Sequence, residues 1–137
     1  MVKLRLLLGY QLLTGLSDGS TGLLLLFAPA LTLHLMGLHA AADALPFLSY
    51  IGAFVLSVGI ACIYGASLVG RREGAEKLEV VWLLTAITRG LVAAFVVVQI
   101  LAGRLETGWV TVALSDGGLA LLQAFGLARG WLSDARN

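Results

Sequence analysis

The chain has 137 residues, 59% of them hydrophobic and 12% charged, with a formal net charge of +1. Soluble domains run at about 45–50% apolar and about 25% charged, and a small domain has too little interior to hide such an excess. A mean hydropathy of +0.95 therefore excludes an ordinary water-soluble globule and makes lipid the expected solvent. The near-neutral charge leaves no basic field for nucleic acid.

The start, Met1-Val2-Lys3-Leu4-Arg5 and the leucines after it, resembles a signal peptide. Three more apolar spans follow and no small-residue cleavage site is evident, so a retained first helix is expected. A crossing helix needs about 20 apolar residues. Four segments qualify: Leu6 to Ala28, Pro46 to Val69, Leu78 to Ala102 and Trp109 to Leu127. The fold class expected is all-α, a single transmembrane domain built as an integral membrane four-helix bundle.

Pro29 ends the first span, because proline removes a backbone donor and crowds the preceding turn. The apolar run from Ala30 to Met36 is expected to form a short interfacial helix that Gly37 ends. Pro46 opens the second helix. That helix carries two rows at heptad spacing, Tyr50, Ser57 and Tyr64 on one line and Gly52 and Gly59 on its neighbour, both read as packing seams. Cys62, the single cysteine, excludes an internal disulfide and a multi-cysteine metal site and reads as a packing residue. Gly70 to Lys77 and Arg104 to Gly108 form short turns, and Ser133 to Asn137 is a polar tail expected to fray. Trp109 and Trp131 bracket the last span as interfacial anchors.

Basic residues set the orientation. Lys3, Arg5, Arg71, Arg72, Lys77, Arg129 and Arg136 fall on one side of a four-helix threading, against Arg104 on the other. The positive-inside rule then places both termini and the middle turn in the cytoplasm.

Three charges remain inside the apolar spans. Asp18 lies 13 residues beyond Arg5, Arg89 lies 12 beyond Lys77, and Asp116 lies 13 before Arg129. At 1.5 Å per residue all three sit about 18–20 Å from the basic flank, at one depth. Each charge costs about 2.5–3.5 kcal/mol at mid-bilayer on insertion scales, so they are expected to face inward and pair. One guanidinium can serve two carboxylates through its planar fork, and the surplus negative charge is expected to be met by a shared proton. Other polar residues follow the same faces. Gln11, Gly15, Asp18 and Gly22 form a stripe on the first helix, Trp82, Thr85, Arg89, Ala93 and Val96 on the third, and Asp116, Ala120 and Gln123 on the fourth. The candidate site is therefore Asp18, Arg89 and Asp116 with Gln11, Thr85 and Gln123, read either as a register lock or as a ligand or proton site.

Leu16-Ser17-Asp18-Gly19 echoes Leu114-Ser115-Asp116-Gly117. The two copies cross the membrane in opposite directions, so the echo reads as a weak internal similarity and not as a duplicated hairpin. His34 and His39 are five apart, off a common helical face, and no metal site is expected.

The Leu4-Arg5-Leu6-Leu7-Leu8-Gly9 opening, Gly15, the Pro29…Leu35-Met36-Gly37 end and Phe47-Leu48…Gly52 give the chain a layout that resembles small four-helix bacterial membrane proteins of the DoxX-like and DUF4345-like type. The resemblance covers the layout of most of the chain. Some DoxX-like members are described as subunits of membrane redox systems, which would imply quinone-linked chemistry. The residues themselves show no nucleophile–base pair, phosphate loop or cofactor motif, which favours a non-catalytic protein over an enzyme.

The leading expectation is a non-catalytic accessory subunit of a membrane complex, respiratory or otherwise energy-converting, or a lipophilic-ligand-binding protein. A further reading is a membrane enzyme or sensor for a lipid-soluble ligand, a quinone or a sterol-like lipid, with a pocket lined by the aspartates and by Trp82, Tyr50 and Phe54. The alternative is a proton-linked small-solute transporter acting through the intramembrane carboxylates. The partners expected are the lipid bilayer and either a larger membrane complex or a second copy in a homodimer.

Overall fold

A computed structural model describes residues 2–133; Arg136, which the orientation argument uses, and all of the polar tail after Ser133 lie outside the described residues. Five helices run in order: α1 (Val2–Phe27), α2 (Pro29–Leu35), α3 (Leu45–Leu68), α4 (Gly74–Leu101) and α5 (Val110–Ala128). Single 3-10 turns over Ala42–Ala44 and Thr107–Trp109 lead into α3 and α5, and no strand occurs among the described residues. Three stretches are long and apolar enough to cross a membrane: Ala42–Leu68, Gly74–Leu101 and Thr107–Ala128. Expectation and structure agree for these to within a few residues. The 26-residue α1 has the length for a fourth span, about 39 Å at 1.5 Å per residue. Gln11, Thr14, Ser17, Asp18, Ser20 and Thr21 dilute its apolar run. The chain divides after Val69 into two compact units, each an antiparallel helical hairpin.

The first hairpin packs α1 against α3. Pro29 breaks the helix as its chemistry requires: Ala28 leaves helical geometry at φ −141°, ψ 59°, and Pro29 takes the first turn of α2. The Ala28 carbonyl accepts from the Thr32 backbone N–H at 3.0 Å and from the Thr32 hydroxyl at 2.9 Å. Gly37, at φ +70°, closes α2. Its N–H donates to the His34 carbonyl, the Leu38 N–H donates back to the Leu33 carbonyl, and Leu33 and Leu38 are both buried. This is a six-to-one cap with its hydrophobic contact, and the left-handed residue is the glycine that tolerates it.

Glycines let α1 and α3 approach backbone to backbone. A Cβ on Gly22 would lie 2.4 Å from the Leu56 nitrogen, and one on Gly59 would lie 2.5 Å from the Gly19 nitrogen. Gly52 meets Leu25 and Leu26 in the same way. The Gly52 and Gly59 row is thus the packing seam that the sequence indicates. The Tyr50, Ser57 and Tyr64 row is not a seam within the chain. All three are exposed, because they occupy the side of α3 opposite the glycines. Cys62 is buried, 1% exposed, as a packing residue.

The second hairpin packs α4 against α5. Its buried row on α4 is Leu78, Trp82, Thr85, Arg89, Ala93 and Val96, which contains the whole stripe read from the sequence. Gly130, at φ +65°, ends α5, and the Trp131 N–H donates to the Gly126 carbonyl at 3.0 Å. A Cβ on Gly126 would strike the Trp82 ring at 2.6 Å and the Trp131 ring at 2.8 Å, so two indoles close on that glycine. Trp131 also meets Phe125 edge to face at 5.5 Å, and the Arg129 guanidinium lies 4.9 Å from the centre of the Phe125 ring.

Candidate functional site

Polar and apolar side chains are distributed opposite to the pattern of a water-soluble protein. Gln11 and Gln123 are 0% exposed and Arg89 is 3% exposed, whereas Leu13 is 73% and Leu121 74% exposed. A medium that rejects polar groups and accepts leucine produces this arrangement.

In the second hairpin the polar groups form two rungs between the helices. The Arg89 Nη1 donates to the Asp116 Oδ1 at 2.9 Å, with the arginine side chain 3% and the aspartate 23% exposed. One turn before Arg89 on α4, Thr85 accepts at Oγ1 from the Gln123 Nε2 at 2.7 Å. The Thr85 hydroxyl in turn donates to the Val81 carbonyl at 2.7 Å. Thr85 and Arg89 are four apart on α4, and Asp116 and Gln123 are seven apart on α5, so each pair shares one helical face. Antiparallel packing then sets the rungs opposite each other. Both rungs are first-choice pairings in lipid, where a polar group without a partner loses several kcal/mol relative to water, on the order of the cost of burying a bare amide.

Four of the six candidate residues therefore come together as two pairs inside one hairpin: Arg89 with Asp116 and Thr85 with Gln123. The other two, Gln11 and Asp18, lie on α1 of the first hairpin, on the stripe with the seam glycines Gly15 and Gly22. Gln11 is fully buried, and its Nε2 and Oε1 have no hydrogen-bond partner among the described residues. Asp18 is half-buried and is engaged in an interaction. Two aromatic residues assigned to an internal pocket are corrected: Tyr50 and Phe54 pack edge to face at 4.9 Å on the outer side of α3, both more than half exposed. Trp82 is buried as expected. Sequence reasoning missed the role of Gly126. The signal was available as its four-residue spacing to Gly130, with Trp131 following at the position that a six-to-one cap turns back onto the helix.

The ion pair can hold two helices together, and the partial exposure of Asp116 makes its carboxylate the charged atom of the pair that a proton or ligand reaches first. Among the described residues no three His, Cys, Asp or Glu side chains converge on a common point. Comparison with family models, curated proteins and solved structures finds no match to this chain.

Proposed function

We propose that the chain is a multi-pass protein of the bacterial cytoplasmic (inner) membrane, acting as a non-catalytic accessory subunit of a larger membrane complex, respiratory or otherwise energy-converting. In this reading α1, α3, α4 and α5 all cross the bilayer as one bundle. Both termini and the Arg71 to Lys77 turn face the cytoplasm, and α2 lies along the outer interface. The observation that carries the reading is the inversion of side chains, with glutamines and an arginine inside and leucines outside. The polar residues of α1 gather on one stripe, as a span that hides a charge within a bundle requires. Depth along the sequence supports Asp18 as the second carboxylate of Arg89, since all three charges stand equally far from their basic flanks.

An accessory role is supported by what the second hairpin spends its polar groups on: both rungs join helix to helix. The connecting turns are short and leave no room for a catalytic domain between the spans. Extraction of the tagged protein from native membranes in mild detergent, followed by identification of stoichiometric partners, tests the reading. Larger membrane subunits are expected; recovery of the chain alone, or only as a homodimer, overturns it.

The partial exposure of Asp116 favours a second reading, a proton-linked carrier working through the intramembrane carboxylates. Reconstituted vesicles would then show solute flux that Asp116→Asn and Asp18→Asn abolish while the helical content is kept. Flux that is absent from the unsubstituted protein, or unchanged in both variants, removes this reading.

A further inference from the structure

We infer that one internal water molecule links the two polar rungs of the second hairpin, donating to the Gln123 side-chain carbonyl and accepting from the Arg89 guanidinium. The Thr85 hydroxyl has a single hydrogen, and it goes to the Val81 carbonyl at 2.7 Å. Toward Gln123 that hydroxyl is an acceptor only, so the amide must present its nitrogen, as the 2.7 Å bond from Nε2 has it. The carbonyl corner of the amide is thereby turned away from Thr85. Its atom Oε1 takes no hydrogen bond from any described residue, in a side chain that is 0% exposed.

A buried carbonyl without a donor loses its hydration and gains nothing in return. Main-chain N–H groups do not meet the need, because inside a helix they are spent on the carbonyls four residues back. A lipid headgroup does not reach a side chain with no exposed surface. The occupant must bring an O–H or N–H donor, be small, and find more than one polar neighbour for itself. Water meets these conditions, and buried waters make about three hydrogen bonds each.

The neighbouring rung supplies the other bonds. Thr85 and Arg89 are four residues apart on α4, about 6 Å along the axis. A water with one ordinary hydrogen bond on each side joins polar atoms about 4.5–5.5 Å apart, so a single molecule covers the step from one rung to the next. The guanidinium carries five N–H donors and Arg89 is 3% exposed, so it can donate to a water as well as to the Asp116 Oδ1 at 2.9 Å. The Asp116 carboxylate stands beside that guanidinium and can accept the second hydrogen of the water. Asp116, Arg89, Gln123 and Thr85 then form one connected network instead of two separate rungs.

The test measures rotating-frame cross-relaxation with water by NMR, on the isotope-labelled full chain in detergent micelles. Cross-peaks at the water frequency are expected on both the Gln123 side-chain amide and the Arg89 guanidinium protons. Their sign should be opposite to the diagonal, which marks dipolar contact and not proton exchange. Gln123→Met removes the carbonyl with little change in volume. It should take the Arg89 cross-peak down to background while circular dichroism shows the helix content kept. A Gln123 amide or an Arg89 guanidinium without its cross-peak in the unsubstituted chain overturns the proposal. So does an Arg89 cross-peak that keeps its full intensity in Gln123→Met, since water would then reach the arginine past the partly exposed Asp116. If Gln123→Met loses its helices, the unsubstituted chain still decides: contact of the Gln123 amide with detergent protons in place of water gives the position to a lipid chain and overturns the proposal.

Discussion

The two hairpins solve one problem by different means. Between α1 and α3 the backbones nearly touch, and glycine supplies the space: at Gly22, Gly52 and Gly59 a single added carbon would sit at 2.4–2.5 Å from a main-chain nitrogen. Between α4 and α5 the glycines face side chains, not backbone: a Cβ on Gly90 would meet the Ala120 side chain at 3.9 Å, and one on Gly126 the Trp82 ring at 2.6 Å. There side chains cross the gap, as an ion pair and an amide-to-hydroxyl bond. Lipid offers helices no hydrophobic reason to associate, so they join either by fitting closely or by sharing polar groups. This chain uses the first means in one half and the second in the other. Substitutions at the seam glycines Gly22, Gly52 and Gly59 should therefore hurt the first hairpin, and substitutions at the paired polar residues the second.

The largest effect should come from the ion pair. Arg89→Met leaves Asp116 with its partner gone, and removing one member of a buried pair costs about 3–5 kcal/mol. Thermal unfolding in detergent micelles, followed by circular dichroism, should show the loss. Adding Asp116→Leu to Arg89→Met should restore the part of it that comes from the orphaned Asp116 charge. A double variant as unstable as the single one would mean that the arginine contributes through contacts other than Asp116.

Overpacking of the glycine seam comes next. Gly22→Val and Gly59→Val force side chains into backbone, an insertion that costs about 1–3 kcal/mol in a packed interior. The same unfolding assay, run on each variant, should place both well below the parent protein. Wild-type stability in Gly59→Val would show that α1 and α3 part more readily than their contacts imply.

A smaller loss is expected from Gln123→Leu. It deletes the 2.7 Å bond to Thr85, and such interhelical bonds in membranes average about 0.6 kcal/mol, with a maximum of about 1.7. Thr85→Val should cost a similar amount, and the two together little more than either alone, since they remove one interaction. Strict additivity in this cycle would sever the rung.

The smallest effect sharpens the comparison most. Gly90→Ala has room and gains helix propensity, so it should be neutral or stabilise by up to about 1 kcal/mol. Gly22→Ala, the same chemical change in the other hairpin, should destabilise. If both substitutions have the same sign, the contrast between the hairpins is lost.

Much of this was legible in the sequence, for definite reasons. Apolar runs of about 20 residues, punctuated by Pro29, Pro46 and the turn glycines, fix where helices start and stop, and the helix ends at Leu68, Leu101 and Ala128 lie close to those read from the chain. The stripe from Trp82 to Val96 was legible because one arginine in an oily helix must point inward, and the residues at three- and four-residue spacing turn with it. The inner face of α3 was not legible. Aromatic and glycine rows both repeat every seven residues there, and hydrophobicity cannot separate inside from outside when the surroundings are as apolar as the interior. Only the close approach at Gly52 and Gly59 decides it. The status of α1 was also hard to read, because its polar stripe both lowers its hydropathy and supplies the reason for it to cross.

The seven-residue repeat of Gly15 and Gly22 against Gly52 and Gly59 restricts how the first hairpin can slide. If α1 crept along α3 by one or two residues, a leucine would arrive where only hydrogen now fits. The next setting that mates glycine with backbone lies a full heptad away, about 10 Å at 1.5 Å per residue. Gradual slippage is therefore blocked, and any working motion of the protein must carry α1 and α3 along as one stiff rod.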